Sequence, residues 1–155
     1  DDGVLTQSLA ILEWLEETHP QPPLLPATPR DRATVRAMAE IVACDIHPLN
    51  NLRVLQKLGG LGFSFGSPEQ TAWIHGWIGA GFDALEPMIA AHGGGFCFGD
   101  APGLADCCLI PQVYSAERYG LDLAPYPAIR AVAERAAAHP AFAAAHPDKQ
   151  PDAVT

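Results

Sequence analysis

The stretch SPEQTAWIHGWIGAGFDALEPMIAAH, residues 67–92, decides the fold. Ser67-Pro68-Glu69-Gln70 is a helix-start signal: a capping hydroxyl, proline at the first helical position and a glutamine at the third. Trp73, Ile74, Trp77, Ile78, Phe82 and Leu85 then recur at helical spacing until His92 meets three glycines. Gly76, Gly79 and Gly81 would each cost a helix about 1 kcal/mol relative to alanine, so close packing against a second helix is expected to retain them. That second helix lies upstream. Thr28-Pro29-Arg30-Asp31 carries another start signal, and the helical pattern runs on to Gly59-Gly60, with Pro48 inside it to bend or break it.

Working outward, Leu104 to Arg118 reads as a central helix, apolar nearly all round at its start, with Gly103 at its cap and Asp106 in its first turn. Shorter helices follow near 127–138 and 140–146. Upstream, Leu9, Leu12 and Leu15 mark an amphipathic helix over residues 7–18, which ends before Pro20. Pro20-Gln21-Pro22-Pro23-Leu24-Leu25-Pro26 is too rich in proline for helix and reads as a connection at a domain boundary. No strand-like alternation appears after residue 6. The body is expected to be all-α.

Composition bounds the function. In 155 residues, 48% are hydrophobic and 17% charged, which is a folding composition. A formal net charge of −9, with only nine Lys and Arg, argues against a nucleic-acid partner. No apolar run reaches the ~18–20 residues of a membrane span, and Asp1-Asp2-Gly3 does not open a signal peptide. A cytoplasmic location is the default expectation. Cys44, Cys97, Cys107 and Cys108 form neither a CxxC nor a paired framework, and are expected to be reduced, buried thiols with no metal site. There is no initiating Met, and the first residues read as a turn leading into Val4-Leu5-Thr6, so further sequence is expected upstream.

Several segments, in order and spacing, resemble the zeta-class glutathione transferases, the maleylacetoacetate/maleylpyruvate isomerase family. They are Leu5-Thr6-Gln7-Ser8-Leu9-Ala10-Ile11, Pro22-Pro23-Leu24-Leu25-Pro26, Asp45-Ile46-His47-Pro48-Leu49-Asn50-Asn51-Leu52-Arg53-Val54-Leu55, Leu104-Ala105-Asp106 and His146-Pro147-Asp148-Lys149-Gln150-Pro151-Asp152. The resemblance covers essentially the whole chain, and the Asp45–Leu55 segment is its most distinctive part. It implies a glutathione transferase C-terminal-like helical bundle over residues 28–155. Residues 20–27 would be the linker, and residues 1–19 the last strand and helix of a thioredoxin-like α/β domain. The family's Ser-Ser-Cys thiol-activating motif and its cis-proline belong to an earlier segment, so no catalytic residue is implied within these 155. Gly103 stands where the family usually has Ser or Thr, a change expected to cost only tenths of a kcal/mol.

The resemblance also implies a chemistry in which the glutathione thiolate adds to a cis double bond, rotation follows, and elimination returns glutathione with the trans product. Such a protein must hold glutathione, lower its thiol pKa, and bind a dianion whose carbonyl end gains charge. Gln7 and Ser8 correspond to the pair that receives the γ-glutamyl end of glutathione; read without the resemblance, Ser8 is more readily a helix cap than a ligand. His47 and Asn51, four residues apart on one expected helical face with Asn50 beside them, are implied at the glutathione and substrate cleft; the alternative is a helix–helix or dimer contact. Arg118 corresponds to the arginine near the substrate carboxylate, a task its planar fork suits, although it could instead relieve the helix C-terminus. Arg53 stands off that face, and Asp106 is assigned to structure. His75, His139 and His146 need no function on this reading.

A homodimer is implied for the complete family member. Leu9, Leu12 and Leu15 are expected to be left partly uncovered in this chain alone. Glutathione conjugation, dehalogenation, or a helical protein-docking module remain open as alternatives.

Overall fold

The computed structural model describes residues 3–151 and 153. Among them it is all-helical, with no strand and a single isolated parallel bridge between Gly93 and Gly99. Val4–Thr6, expected as a strand, is not one here, because a strand exists only through a ladder with a partner, and none lies beside it among the described residues.

Helix α1, Ser8–Thr18, is followed by the proline-rich connection and by α2, Pro29–Glu40. The α2 start forms as its sequence demands: the Thr28 hydroxyl oxygen accepts from the Asp31 N–H at 3.2 Å, and the same hydroxyl donates to the Asp31 carboxylate at 2.8 Å. Two acids tie α1 to α2. Glu13 receives both the Nε and Nη2 donors of Arg36, at 2.6 and 2.8 Å. Buried Glu16 accepts from Arg32 at 3.1 Å and from the Leu24 N–H at 2.7 Å. Three residues forward on α1 thus correspond to four back on α2, so the two helices run antiparallel. Leu9 and Leu12 pack against the helical core, while Trp14 remains 41% exposed.

The Arg36 fork holds the Glu13 carboxyl below its ordinary value. A carboxyl depressed in the fold contributes stability above its unfolded pKa of about 4.3 and loses it as pH falls through the folded value. Glu13→Gln is therefore expected to lower stability at pH 7 by no more than about 1 kcal/mol, since the pair is partly exposed. The gap between the two proteins should close near pH 3. Urea unfolding at both pH values checks this, and a gap of equal size at both would assign the effect to packing.

The single long helix expected up to residue 60 ends as α2 at Glu40, and three further pieces follow. Ile41–Ile46 is a π-helical turn, α3 is His47–Asn50, and α4 is Leu52–Gly59. Pro48 has no N–H, and its ring opposes the residue-44 carbonyl of a regular α ladder; the wider π turn, with the His47 N–H donating to the Val42 carbonyl, relieves that conflict. The break itself falls three residues later. Asn51 is extended (φ −70°, ψ 158°), and its Oδ1 accepts from the Val54 N–H at 3.1 Å, so it caps α4.

Helix α5, Pro68–His92, spans the molecule. Ser67 caps it through the Gln70 N–H at 3.2 Å. The reciprocal half of the expected box is displaced: buried Gln70 accepts from Gly66 N–H at 3.1 Å and donates to the Leu55 carbonyl at 3.2 Å, tying α5 to α4. Of the three helical glycines, only Gly81 shows the expected close approach, because a Cβ there would collide with the Ile46 side chain of the π turn. Gly76 faces open space. Helix α6, Leu104–Arg118, is the central one, with Leu104, Ala105 and Asp106 all buried in its first turn. Helices α7, Pro127–Ala137, and α8, Pro140–Ala145, complete the bundle. The α7 N-terminus is capped from α5, where the Glu86 carboxylate accepts from Ala128 N–H at 2.6 Å and Ile129 N–H at 3.0 Å.

Candidate functional site

The antiparallel register of α1 and α2 fixes where Gln7 and Ser8 lie. Five residues back from Glu13 is Ser8, and five forward from Arg36 is Ile41, so the α1 N-terminus stands level with the start of the π turn that leads to His47. Gln7 is the one non-glycine residue with positive φ (73°) among the described residues. Such a backbone costs on the order of 1–3 kcal/mol and persists where surrounding structure imposes it, often at ligand clamps. Among the described residues no side chain caps α1; Ser8 is its first helical residue and not its cap, and its first-turn N–H groups lie at an exposed surface. This donor set fits a carboxylate.

His47 is exposed at the head of α3. It does not share a continuous helical face with Asn51, because the chain turns extended at Asn51; the two instead flank a single turn. Asn51 spends its Oδ1 on the α4 cap, which leaves its Nδ2 as the group it can offer a ligand. Asn50 turns inward, with both amide atoms buried and unpartnered among the described residues. Arg53 is exposed.

Arg118 is the exposed last residue of α6. Just beyond it, Gly120 adopts φ 71°, its N–H donates to the Glu117 carbonyl at 2.9 Å, and the Leu121 N–H reaches the Ala116 carbonyl at 3.0 Å. This Schellman-type ending satisfies carbonyls that the helix leaves open.

Two side chains of α5 tie the α3 turn and the end of α6 to one stretch of that helix. Trp73 Nε1–H donates to the Leu49 carbonyl of α3 at 3.0 Å. His75 Nε2 lies 2.7 Å from the Tyr119 carbonyl, one residue past Arg118. A carbonyl only accepts, so this nitrogen carries the proton. The His47 turn and the Arg118 end are therefore both held by the same stretch of α5, and α1 opens towards the π turn beside them. Sequence reading missed His75 because its partner is 44 residues away and a lone histidine has no local signature.

The thiols divide. Burial pushes Cys108 up to about 12, with the Cys107 and Cys44 thiolates adding to it, and raises Cys97 and Cys107 as well. These three are held as unreactive thiols. All four were expected to be buried; Cys97 is, Cys107 and Cys108 are half-buried, and Cys44, on the π turn, is exposed. A groove of about 670 Å³ between α6, α7 and α8 is lined by Val113, Tyr114, Leu123, Arg130 and Phe142 among others, and none of the site residues named above lines it.

The chain is similar to known proteins over nearly its whole length. Residues 71–143 match the family model of the glutathione S-transferase C-terminal domain. A maleylacetoacetate isomerase of Pseudomonas aeruginosa is 52% identical over 153 residues, which are 98% of this chain and 70% of that protein. The holo structure of a maleylpyruvate isomerase, described as a bacterial zeta-class glutathione S-transferase, superposes with a TM-score of 0.92 at 51% identity, over 99% of this chain and 73% of the other. A maleylacetoacetate isomerase of Anaeromyxobacter dehalogenans, holding dicarboxyethyl glutathione and citrate in its active site, gives 0.91 at 48% identity, over 99% and 70% of the two chains.

Proposed function

Because the chain belongs to the zeta-class glutathione transferase, or maleylacetoacetate (maleylpyruvate) isomerase, family, we propose that its gene product is a glutathione-dependent cis–trans isomerase of maleylacetoacetate or maleylpyruvate. The observation that supports this reading is that one stretch of α5 holds both the α3 turn that carries His47, through Trp73, and the residue after Arg118, through His75, while the strained helix start at Gln7 stands level with the head of the π turn that leads to His47. Each suits a different part of the chemistry.

Glutathione, when bound, supplies the thiol that adds to the cis double bond and leaves again after rotation. The chain's own residues bind and orient. Gln7 and Ser8 receive the γ-glutamyl carboxylate on the first-turn N–H groups of α1, where the helix dipole favours an anion. His47 and the Asn51 Nδ2 line the cleft between glutathione and substrate. Arg118 would take a substrate carboxylate bidentately and so fix the orientation of the enedioyl group. A related isomerase holds both a dicarboxyethyl derivative of glutathione and citrate in its active site, which supports a site built for a thiol and a polycarboxylate together.

Residues 1–19 are proposed to be part of the thioredoxin-like glutathione-binding unit, 20–27 the linker and 28–155 the helical domain. The complete protein is proposed to be a cytoplasmic homodimer. No helix among the described residues is long and apolar enough to cross a membrane.

The test is isomerisation of maleylpyruvate and maleylacetoacetate by the full gene product, with and without glutathione. Turnover that requires glutathione and yields the fumaryl product is expected. A soluble, folded product that conjugates glutathione to halogenated acids or other electrophiles but leaves both maleyl acids unchanged would replace this reading with transferase chemistry on the same scaffold. Inactivity in both assays would favour a docking module.

A further inference from the structure

We propose that His75 is a positioning residue for Arg118: its Nε2–H bond to the Tyr119 carbonyl fixes the height and rotation of the last turn of α6. This sets where the Arg118 guanidinium can reach relative to the His47 turn on the other side of α5. The inference rests on the role given to Arg118 above.

The end of a helix is its loosest part, since its last carbonyls have no partner within the helix. At the end of α6, Glu117 and Ala116 are satisfied from the following turn, through Gly120 and Leu121. The Tyr119 carbonyl is reached only from another helix, by His75. Tyr119 also packs against the core through its side chain, so this residue is held on both sides, and Arg118 is its immediate neighbour. A long, many-rotor side chain such as arginine places its fork well only if its backbone origin is fixed.

The geometry of α5 explains why a histidine here does more than join two helices. Trp73 and His75 are two residues apart, so at about 100° per residue they project about 200° apart, to nearly opposite sides of one turn. One holds the Leu49 carbonyl of α3 and the other the Tyr119 carbonyl beyond α6. The second turn of α5 is thus a brace whose two ends carry the glutathione-side residues and the substrate-side residue. Its width sets the distance between thiol and carboxylate, on which an addition depends steeply.

Steady-state kinetics of the full gene product on maleylpyruvate test this with five proteins: the parent, His75→Phe, His75→Gln, Arg118→Ala and His75→Phe combined with Arg118→Ala. His75→Phe keeps a ring of similar size and removes the donor, while His75→Gln supplies an amide donor. His75→Phe is expected to raise the KM for maleylpyruvate roughly three- to tenfold, with the KM for glutathione unchanged. His75→Gln should recover most of that loss. In the Arg118→Ala background, His75→Phe should add less than about twofold, because its effect passes through the arginine.

A full, multiplicative loss in that background, or equal losses in both KM values, would show a merely structural histidine and overturn the proposal. So would an unchanged maleylpyruvate KM in His75→Phe when Arg118→Ala raises it. Should Arg118→Ala itself leave that KM unchanged, the reading of Arg118 fails first and takes the brace with it. If His75→Phe does not fold, His75→Leu takes its place: a rise in the maleylpyruvate KM alone supports the bond, and parent-like KM values or an isolated rise in the glutathione KM contradict it.

Discussion

Replacing Asp106 with alanine is expected to destabilise the chain by about 3–5 kcal/mol, seen as a lower urea midpoint and a fall in Tm of roughly 10 °C. Asp106 is 1% exposed, and its two oxygens serve two different segments. Oδ1 accepts from the Cys97 N–H in the loop that leads out of α5, and Oδ2 accepts from the Gly103 N–H at the head of its own helix, both at 2.8 Å. Alanine would strand both donors in the core, and each costs on the order of 1–3 kcal/mol when left unpaired. A cavity adds to the loss. Asp106→Asn should cost about half as much, because it keeps one acceptor oxygen and turns an amide NH₂ against the other donor. A loss below about 1 kcal/mol for the alanine variant would mean that the loop rearranges to satisfy Cys97 elsewhere.

The same place corrects an expectation about Gly103. It looked like a mildly inferior cap, but a Cβ on it would stand 2.8 Å from the Leu24 carbonyl oxygen, the same oxygen that accepts the Leu104 N–H at 2.8 Å. Glycine lets the linker lie against the head of α6, and that proximity between residues 80 positions apart leaves no trace in local sequence. The pattern recurs throughout the molecule. Thr28-Pro29, Ser67-Pro68 and the arrest of α1 before Pro20 were legible because each signal acts within a few residues of itself. The cap on α7 was not, since its acceptor is Glu86, 42 residues upstream of Ala128. Pro48 announced an irregularity, yet its form, a π turn followed by a break at Asn51, depends on where Asn51 finds a donor to cap.

Site residues divide in the same way. Gln7, Ser8, His47, Asn51 and Arg118 were named through resemblance, because residue types and order carried it. The strain at Gln7 and the brace at His75 could not be named. A backbone angle is imposed by what surrounds it, and a histidine's partner is known only once α5 and α6 lie together.

Arg118→Ala is expected to lower kcat/KM for maleylpyruvate roughly a hundredfold, mainly through KM, with little change in the KM for glutathione. Among the described residues Arg118 makes no ion pair or side-chain hydrogen bond, and it is exposed, so its removal leaves no buried partner unsatisfied and should alter Tm by less than about 2 °C. A residue this little used by the fold, beside a Tyr119 carbonyl that is held from α5, is free to serve a ligand. Its guanidinium offers two parallel donors to a carboxylate, and truncating one partner of such a pair in a closed site costs about 2–5 kcal/mol. Arg118→Lys separates charge from geometry. It keeps the cation but loses the fork, and should recover part of the affinity while remaining about tenfold below the parent. Equal activity in the lysine variant and the parent would mean that only the field of a positive charge is needed there. Parent-like kinetics in the alanine variant would move the substrate carboxylate to another donor, with Arg53 and the open amide of Asn51 the next to be replaced.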